Sequence, residues 1–443
     1  MNFTKGVENL IKTLQGSGYQ AYAVGGAVRD FLRGVDYSDI DITTSATPSE
    51  MMEALKDYKI YPTGIKHGTI TVVVDGENIE ITTFRTENGY TDNRRPDSVT
   101  FVRNLEEDLK RRDFTVNAMA YNDSVGVVDL FGGQEDLKNK IIKTVGNPDE
   151  RFSEDALRIL RGLRFASVLD FEIETQTKNS ILKNYKSLAN VAIERVFVEL
   201  TKLLTGVGVY RILTEFRDVF FFLIPKLALC NNFNQVSKFH CYDVFTHIAK
   251  SVENSPSDPI VRWALLLHDI EKPSCFTLDN NGVGHFYGHQ KKSSESARQI
   301  LKDFKCDNFT VNTVGQLIFL HDIPLDANKI AIKQFLNKYS FSFLKQFTAV
   351  RIGDAIAHAE PYGEERVNQA NLVLQMAESI VKSGECYSLK KLAINGNDLK
   401  SLGYKGVQIK QKLEYVLDLV IKEKINNDKG EILSRLKNDG VTR

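Results

Sequence analysis

The stretch GGAVRDFLRGVDYSDIDITT, residues 25–44, constrains this chain more than any other. Gly25 and Gly26 follow the apolar run Ala21 to Val24 and precede a segment of helical character, so they occupy a strand-to-helix turn where a phosphate can approach the backbone. Asp39 and Asp41 stand two apart in DIDIT; strand period two sets both carboxylates on one face and turns Ile40 and Ile42 into the core. Two such oxygen donors suit one or two Mg²⁺ ions, with substrate phosphates completing the shell, and in-line attack on a nucleoside triphosphate. A DxD alone is an ordinary edge strand; the succession Gly-Gly, Arg29-Asp30, DxD favours catalysis.

Lysine plus arginine equals aspartate plus glutamate at 57 each, so a nucleic-acid footprint has to be local. The 443 residues accommodate two to four domains. Five scattered cysteines without a CxxC pair argue against a disulfide framework or thiolate zinc site and fit a reducing cytoplasm. The opening MNFTKGVENL lacks an apolar signal core, and the greasiest run, residues 219–224, is too short for a membrane span.

Along the chain, residues 7–14 read as an amphipathic helix and Thr47-Pro48 as the start of another. Asp75-Gly76 between β-branched runs predicts a type I′ hairpin, in which Glu80 faces the same way as the DxD pair as a third carboxylate, or faces solvent. Residues 84–102, FRTENGYTDNRRPDSVTFV, are polar and aperiodic and read as a long functional loop. LEEDLKRRDFTVNAMAYN then supplies Arg111, Arg112, Asp113 and Asn117: a solvated charged helix end, or Arg112 on triphosphate oxygens with Asn117 on the sugar or a metal-bound phosphate. VVDLFGGQEDL reads as a strand, a second Gly-Gly turn and a helix start.

Residues 153–168, SEDALRILRGLRFASV, predict one helix with Ser153 as N-cap. Asp155 and Arg158 would then share a face at i and i+3, either as a surface ion pair or as a base-reading pair. Aspartate accepting from an exocyclic amine and arginine donating to a ring nitrogen match the Watson-Crick edges of cytosine and adenine and reject uracil and guanine. Glu154 and Arg161 would brace the pair.

Beyond this point the pattern is helical. Six of the eight histidines fall between His240 and His321, including the doublets His268-Asp269 and His321-Asp322 after apolar helices. Neutral imidazoles with aspartate can hold a divalent metal that serves phosphate-ester hydrolysis. Near the end, a turn at Gly403 and Gly406 is surrounded by Lys400, Lys405, Lys410 and Lys412, which suits a phosphate backbone.

Together, GGAVRD with DID, TENGYTDNRRPDSV, RRDFTVNAMA, DLFGGQEDL, EDALRILR and the ERVFVEL helix, in this order over nearly the whole chain, resemble the class II tRNA nucleotidyltransferases, a group of CCA-adding enzymes and bacterial poly(A) polymerases. The resemblance implies an α+β protein: a mixed-sheet nucleotidyltransferase head (residues 1–145), an all-α neck that reads the base (146–210), an HD-like body (211–380) and a tRNA-gripping tail (381–443). It implies template-independent addition of CCA, or of A alone, to the tRNA 3′ end from CTP and ATP. Metal binding falls to Asp39 and Asp41, and triphosphate binding to Gly25, Gly26 and Arg29. Nucleotide contacts fall to Arg112, Asp113, Asn117, Asp155 and Arg158. Family members that add only CC lack the loop at residues 85–96, so its presence favours A addition.

The body resembles HD-type phosphohydrolases, with His247, His268, Asp269 and His289 or Asp322 as ligands of a second divalent metal. HDIEKP carries Glu271 where HDIGKP is usual, a side chain that would crowd that metal or change its charge; Lys410 replaces a glycine common in relatives. Two rival readings remain: a metal phosphohydrolase acting through the histidines, and a tRNA-binding module with an inert head.

Overall fold

The computed structural model describes residues 1, 3–37, 39–88 and 98–440. The chain divides into two compact units, Met1–Leu223 and Ile224–Arg443. The expected head and neck lie in the first and nearly all of the expected body and tail in the second.

In the first unit, α1 (Lys5–Gly16) starts at Thr4, whose hydroxyl accepts from the Val7 amide, and it buries Val7, Leu10, Ile11 and Leu14 at helical spacing. After it come β1 (Ala21–Val24), α2 (Gly26–Leu32), β2 (Asp41–Thr44) and α3 (Pro48–Ala54), the last opened by a Thr47–Glu50 capping box with proline in its first turn. Strands β3 (Lys59–Tyr61), β4 (Thr69–Val74) and β5 (Glu77–Thr83) follow. Asp75 and Gly76 both have positive φ, 52° and 86°, and Val74 pairs with Glu77, so the expected two-residue hairpin is present.

The stretch expected as a loop is instead paired at both ends: β6 (Arg85–Asn88) and β7 (Ser98–Phe101) form an antiparallel ladder. Its tip, residues 89–97, lies outside the described residues, and with it most of the segment expected to favour A addition. Three elements follow, α4 (Leu105–Lys110), β8 (Met119–Asn122) and β9 (Gly126–Asp129), and the seven-stranded sheet runs β3-β4-β5-β2-β1-β8-β9. Only β2 and β5 are parallel neighbours, which makes it the mixed sheet expected.

Helix α5 (Gly133–Lys138) begins where the Asp129 carboxylate accepts from the amides of Gly133 and Gln134. Next are β10 (Ile141–Ile142), α6 (Pro148–Glu154) and α7 (Leu157–Leu169). Here the expected single helix from Ser153 is wrong. Asn147 caps α6, Pro148 opens it, and the chain turns extended at Asp155 (φ −137°, ψ 105°) before α7 begins. β11 (Glu172–Ile173) pairs with β10 in parallel and leads into α8 (Thr175–Asn184), α9 (Ile193–Leu204), α10 (Val209–Glu215) and α11 (Arg217–Leu223). Helix α7 buries Leu157, Leu160 and Leu163 and is tied to α9 by Ser167 donating to the Leu203 carbonyl at 2.8 Å. Gly162 lets it approach Phe114, whose ring would lie 2.9 Å from a Cβ at that position.

The second unit is helical, as expected. It comprises α12 (Lys226–Cys230), α13 (Val244–Glu253), α14 (Pro259–Leu267), α15 (Lys272–Cys275), the short pair β12 (Thr277–Leu278) and β13 (Gly284–His285), then α16 (His289–Asp303), α17 (Asn308–Leu320), α18 (Lys329–Lys338), α19 (Phe341–Ile356), α20 (Tyr362–Lys382), α21 (Gly396–Ser401), α22 (Val407–Ile421) and α23 (Lys429–Gly440). Trp263 on α14 is completely buried, and the last three helices share a core of Leu399, Val416, Leu417, Val420, Ile432 and Leu436. No described helix is long and apolar enough to cross a membrane.

Candidate functional site

In the first unit, Asp39 precedes β2 and Asp41 opens it; both are exposed while Ile40 and Ile42 are buried, so the alternation read from DIDIT holds. The β2–β5 register sets Asp41 beside Glu80, also exposed, and the β1–β2 register sets Asp41 opposite Val24, the residue before the glycine turn. Asp39, Asp41 and Glu80 line one recess of about 560 Å³ with Glu77 and Asn78. Partial burial raises the Asp41 pKa; Arg112 opposes the rise, and Glu80 and Asp39 reinforce it. Asp41, with two further carboxylates beside it, belongs to a set of hard oxygen donors whose charge a divalent cation would relieve.

Gly25 has φ 74° and ψ −133°, a conformation reserved for glycine, and caps α2. A Cβ there would stand 3.5 Å from Arg112 Nη1. Arg112 is held by Asp108 (Nη2 to Oδ2, 3.3 Å), and its buried Nε has no hydrogen-bond partner among the described residues. Asp108 is completely buried, also accepts from Arg111, Thr43 and the Arg85 amide, and thereby fixes Arg112 beside the turn.

Arg29, expected at the triphosphate, is committed inward: it donates to Asn117 Oδ1 at 2.8 Å, pairs with Asp30 and lies over the Phe165 ring at 5.3 Å. Asn117 in turn faces Asp113, whose other oxygen takes Arg161 at 2.6 Å. Burial opposes ionisation of Asp113, but Arg161 and Arg158 pull its pKa below the usual carboxylate range. Arg161 therefore braces Asp113, not the Asp155 and Arg158 pair as expected.

Because of the break between α6 and α7, Asp155 and Arg158 do not share a helical face. Asp155 Oδ1 accepts from the Leu157 amide at 3.0 Å, capping α7, and Oδ2 accepts from Arg195 of α9 at 3.0 Å. Arg158 donates to Glu154 at 2.6 Å, as expected of that brace, and to the Arg111 carbonyl at 3.0 Å. Neither side chain is an ion-pair partner of the other. Arg161 and Arg164 both contact Glu199, Arg164 at 2.6 Å.

The second unit gathers buried histidines and aspartates. His247 Nε2 lies 3.4 Å from Asp269 Oδ2 and 2.9 Å from Asp354 Oδ1; His268 Nε2 lies 3.2 and 3.4 Å from the same oxygens. His289 and His321 approach the other oxygen, Asp269 Oδ1, at 3.3 and 3.8 Å. Donor atoms of His247, His268, Asp269 and Asp354, and of Asp269, His289 and His321, lie within 4.8 Å of one another, as a divalent metal requires. Asp322 is outside these groups: it is exposed and pairs with Arg366 at 3.6 Å, and Asp354 takes the place expected for it. Glu271 does not crowd the cluster. It pairs with Lys226 and accepts from Ser274 and Ser296, tying α12, α15 and α16 together.

Family models match three parts of the chain: a poly A polymerase head domain at residues 21–143, an RNA and SrmB-binding site of polymerase A at 170–224, and a tRNA nucleotidyltransferase domain 2 at 286–436. The CCA-adding enzyme of Lactobacillus helveticus is 36% identical over 420 residues, 94% of this chain and 93% of that protein. The chain belongs to the CCA-adding enzyme family. The CCA-adding enzyme of Geobacillus kaustophilus is likewise 36% identical, over 96% of this chain and 95% of its own length. Among solved structures, that of the Bacillus stearothermophilus CCA-adding enzyme in complex with CTP matches with a TM-score of 0.68 at 29% identity, over 99% of this chain and 98% of that one.

Against the reading of this CCA-adding family member from sequence, four residues stand out as missed. Asp108 carries a signal in LEEDLKRR, where it precedes Arg111 and Arg112 by three and four residues. Asp354, on α19, and His358, just past its end, are spaced i, i+4, a pattern overlooked beside the more conspicuous His-Asp doublets. Arg195 meets Asp155 from 40 residues away, and no local pattern announces it. The tail lysines Lys400, Lys405 and Lys410 are exposed around the Gly403 and Gly406 turn, and Lys410 approaches Glu414 at 3.8 Å.

Proposed function

We propose that this chain adds C, C and A to the 3′ end of tRNA from CTP and ATP, without a template and with release of pyrophosphate, working in the cytoplasm. The observation that carries the reading is the face shared by Asp39, Asp41 and Glu80 next to the Gly25 turn and Arg112. In the reaction the 3′ hydroxyl oxygen bonds to the α-phosphorus, the bond to the bridging oxygen breaks, and pyrophosphate departs. Asp39 and Asp41 would hold Mg²⁺, which when bound neutralises triphosphate charge and makes the hydroxyl more acidic; Glu80 is the nearest third carboxylate. The Gly25 and Gly26 backbone admits the triphosphate, and Arg112 supplies the cation beside it.

Arg29, Asn117, Asp113 and Arg161 form the support that holds this turn against α7. Asp155 and Arg158 read the base with the lone pairs and N–H groups that their own partners leave over. Lys400, Lys405 and Lys410 grip tRNA phosphates.

The test is incorporation into tRNAs that lack the CCA end, keep one C, or keep both, each with CTP or ATP alone. C addition to the first two and A addition to the third are expected. The Asp39→Ala plus Asp41→Ala variant should lose at least about a thousandfold in rate, since it removes the charge-stabilising centre; unchanged incorporation would sink the mechanism.

A further inference from the structure

Helix α18 joins two cores. Ile332 and Leu336, one turn apart, pack with Val373, Ala377 and Ile380 of α20, whereas Ile330 packs against the core shared by the last three helices, the tail. Lys329 and Lys333 are likewise one turn apart. Lys333 is only 5% exposed, and its Nζ lies 2.8 Å from Glu385 Oε2 and 3.4 Å from Glu423 Oε1. Lys329 Nζ lies 2.9 and 3.9 Å from the same two oxygens. Burial opposes ionisation of Glu385, but the two ammonium groups bring its pKa below the usual carboxylate range.

The two carboxylates stand where the chain bends into and within the tail. Glu385 lies just beyond α20, which ends at Lys382, and Glu423 lies just beyond α22, which ends at Ile421, before the chain turns back as α23. Glu423 has φ 56°, a left-handed conformation that an L side chain adopts at a cost. The bend is closed by two backbone hydrogen bonds: the Glu423 amide donates to the Val420 carbonyl at 3.1 Å, and the Lys424 amide to the Leu419 carbonyl at 2.9 Å. Glycine is the usual residue at that position of such a bend. A glutamate there is locally unfavourable, and what it adds is the carboxylate that reaches Lys333.

We propose that Lys329 and Lys333, by clasping Glu385 and Glu423, are positioning residues that set the angle at which the tail presents Lys400, Lys405 and Lys410 to tRNA. The inference rests on the reading that those three lysines grip tRNA phosphates. A buried ammonium between two carboxylates holds both of them; without it they repel, and the tail is free to shift about its two bends. Phosphates of a folded RNA have fixed places, so lysines presented at another angle lose contacts without losing charge. The clasp therefore bears on tRNA affinity and leaves triphosphate binding and the chemical step alone.

The test is Glu423→Gly in the full chain, which removes the carboxylate and relieves the left-handed backbone in one change. Its urea midpoint should hold or rise, while KM for tRNA lacking its CCA end should rise by about threefold to tenfold, with kcat and KM for CTP unmoved. An unmoved KM for tRNA overturns the proposal, whatever the midpoint does. The angle itself is read by double electron–electron resonance between nitroxides at Asn337→Cys on α18 and Gln411→Cys on α22, both exposed positions, with Cys241→Ser and Cys306→Ser to keep labelling specific. Glu423→Gly should shift or broaden that distance; the same distribution with and without it overturns the clasp independently of any tRNA measurement. Alanine at Lys400, Lys405 and Lys410 tells the two failures apart. A KM for tRNA unmoved by that triple change removes the tail from the interface, whereas a KM raised by it but not by Glu423→Gly overturns the clasp alone.

Discussion

At the scale of single residues, the candidate active site is built from side chains that hold other side chains. Asp108 positions Arg112, Asn117 and Asp30 hold Arg29, and Arg195 holds Asp155. The Arg195 contact makes a prediction. Arg195→Ala frees one oxygen of Asp155, and the loss of one charge-assisted hydrogen bond should cut discrimination of CTP over UTP by about tenfold to a hundredfold. Arg195→Lys should recover part of it, and the urea midpoint should be unmoved if the role is positioning; competition assays with mixed triphosphates read this directly. The acidic face was legible because period two is a local rule, and DIDIT obeys it. The contacts Arg29–Asn117, Arg161–Asp113 and Asp155–Arg195 were not, because each is set by a meeting of segments 40 or more residues apart that no pattern in either segment encodes.

At the scale of elements, the turn chemistry was readable and one helix boundary was misread. Asp75-Gly76 and Thr47-Pro48 specify their turn and cap through backbone preferences that need no neighbours. The apolar period of residues 157–169 was equally plain, but acids ahead of it invited an N-cap at Ser153, when Asn147-Pro148 already formed a better one six residues earlier. Asn147→Ala should destabilise the first unit by about 1 kcal/mol, seen as a lower urea midpoint with unchanged slope. An effect below about 0.3 kcal/mol would show that packing of α6, not its cap, sets the boundary.

For the whole molecule, balanced charge means that attraction to RNA has to come from particular lysines and not from an overall field. Replacing Lys400, Lys405 and Lys410 with alanine should weaken tRNA binding and flatten the dependence of log affinity on log salt by about 2 units, if each contact releases about 0.7 of a counterion. Filter binding from low to moderate salt measures the slope; an unaltered slope would remove the tail from the interface. The histidine doublets were visible in the sequence, yet the aspartate that completes the buried cluster was not, since Asp354 arrives from a helix far along the chain.

The tight bend at Asp75 and Gly76 sits on the surface and touches no candidate substrate group, so it looks like a place where an inserted residue would pass unnoticed. It is also what phases β5 against β4. Slipping that phase by one would send Glu80 to the opposite side of the sheet and an apolar neighbour into its position. Length variation at this corner would therefore silence the head while leaving every acid of the motif in place.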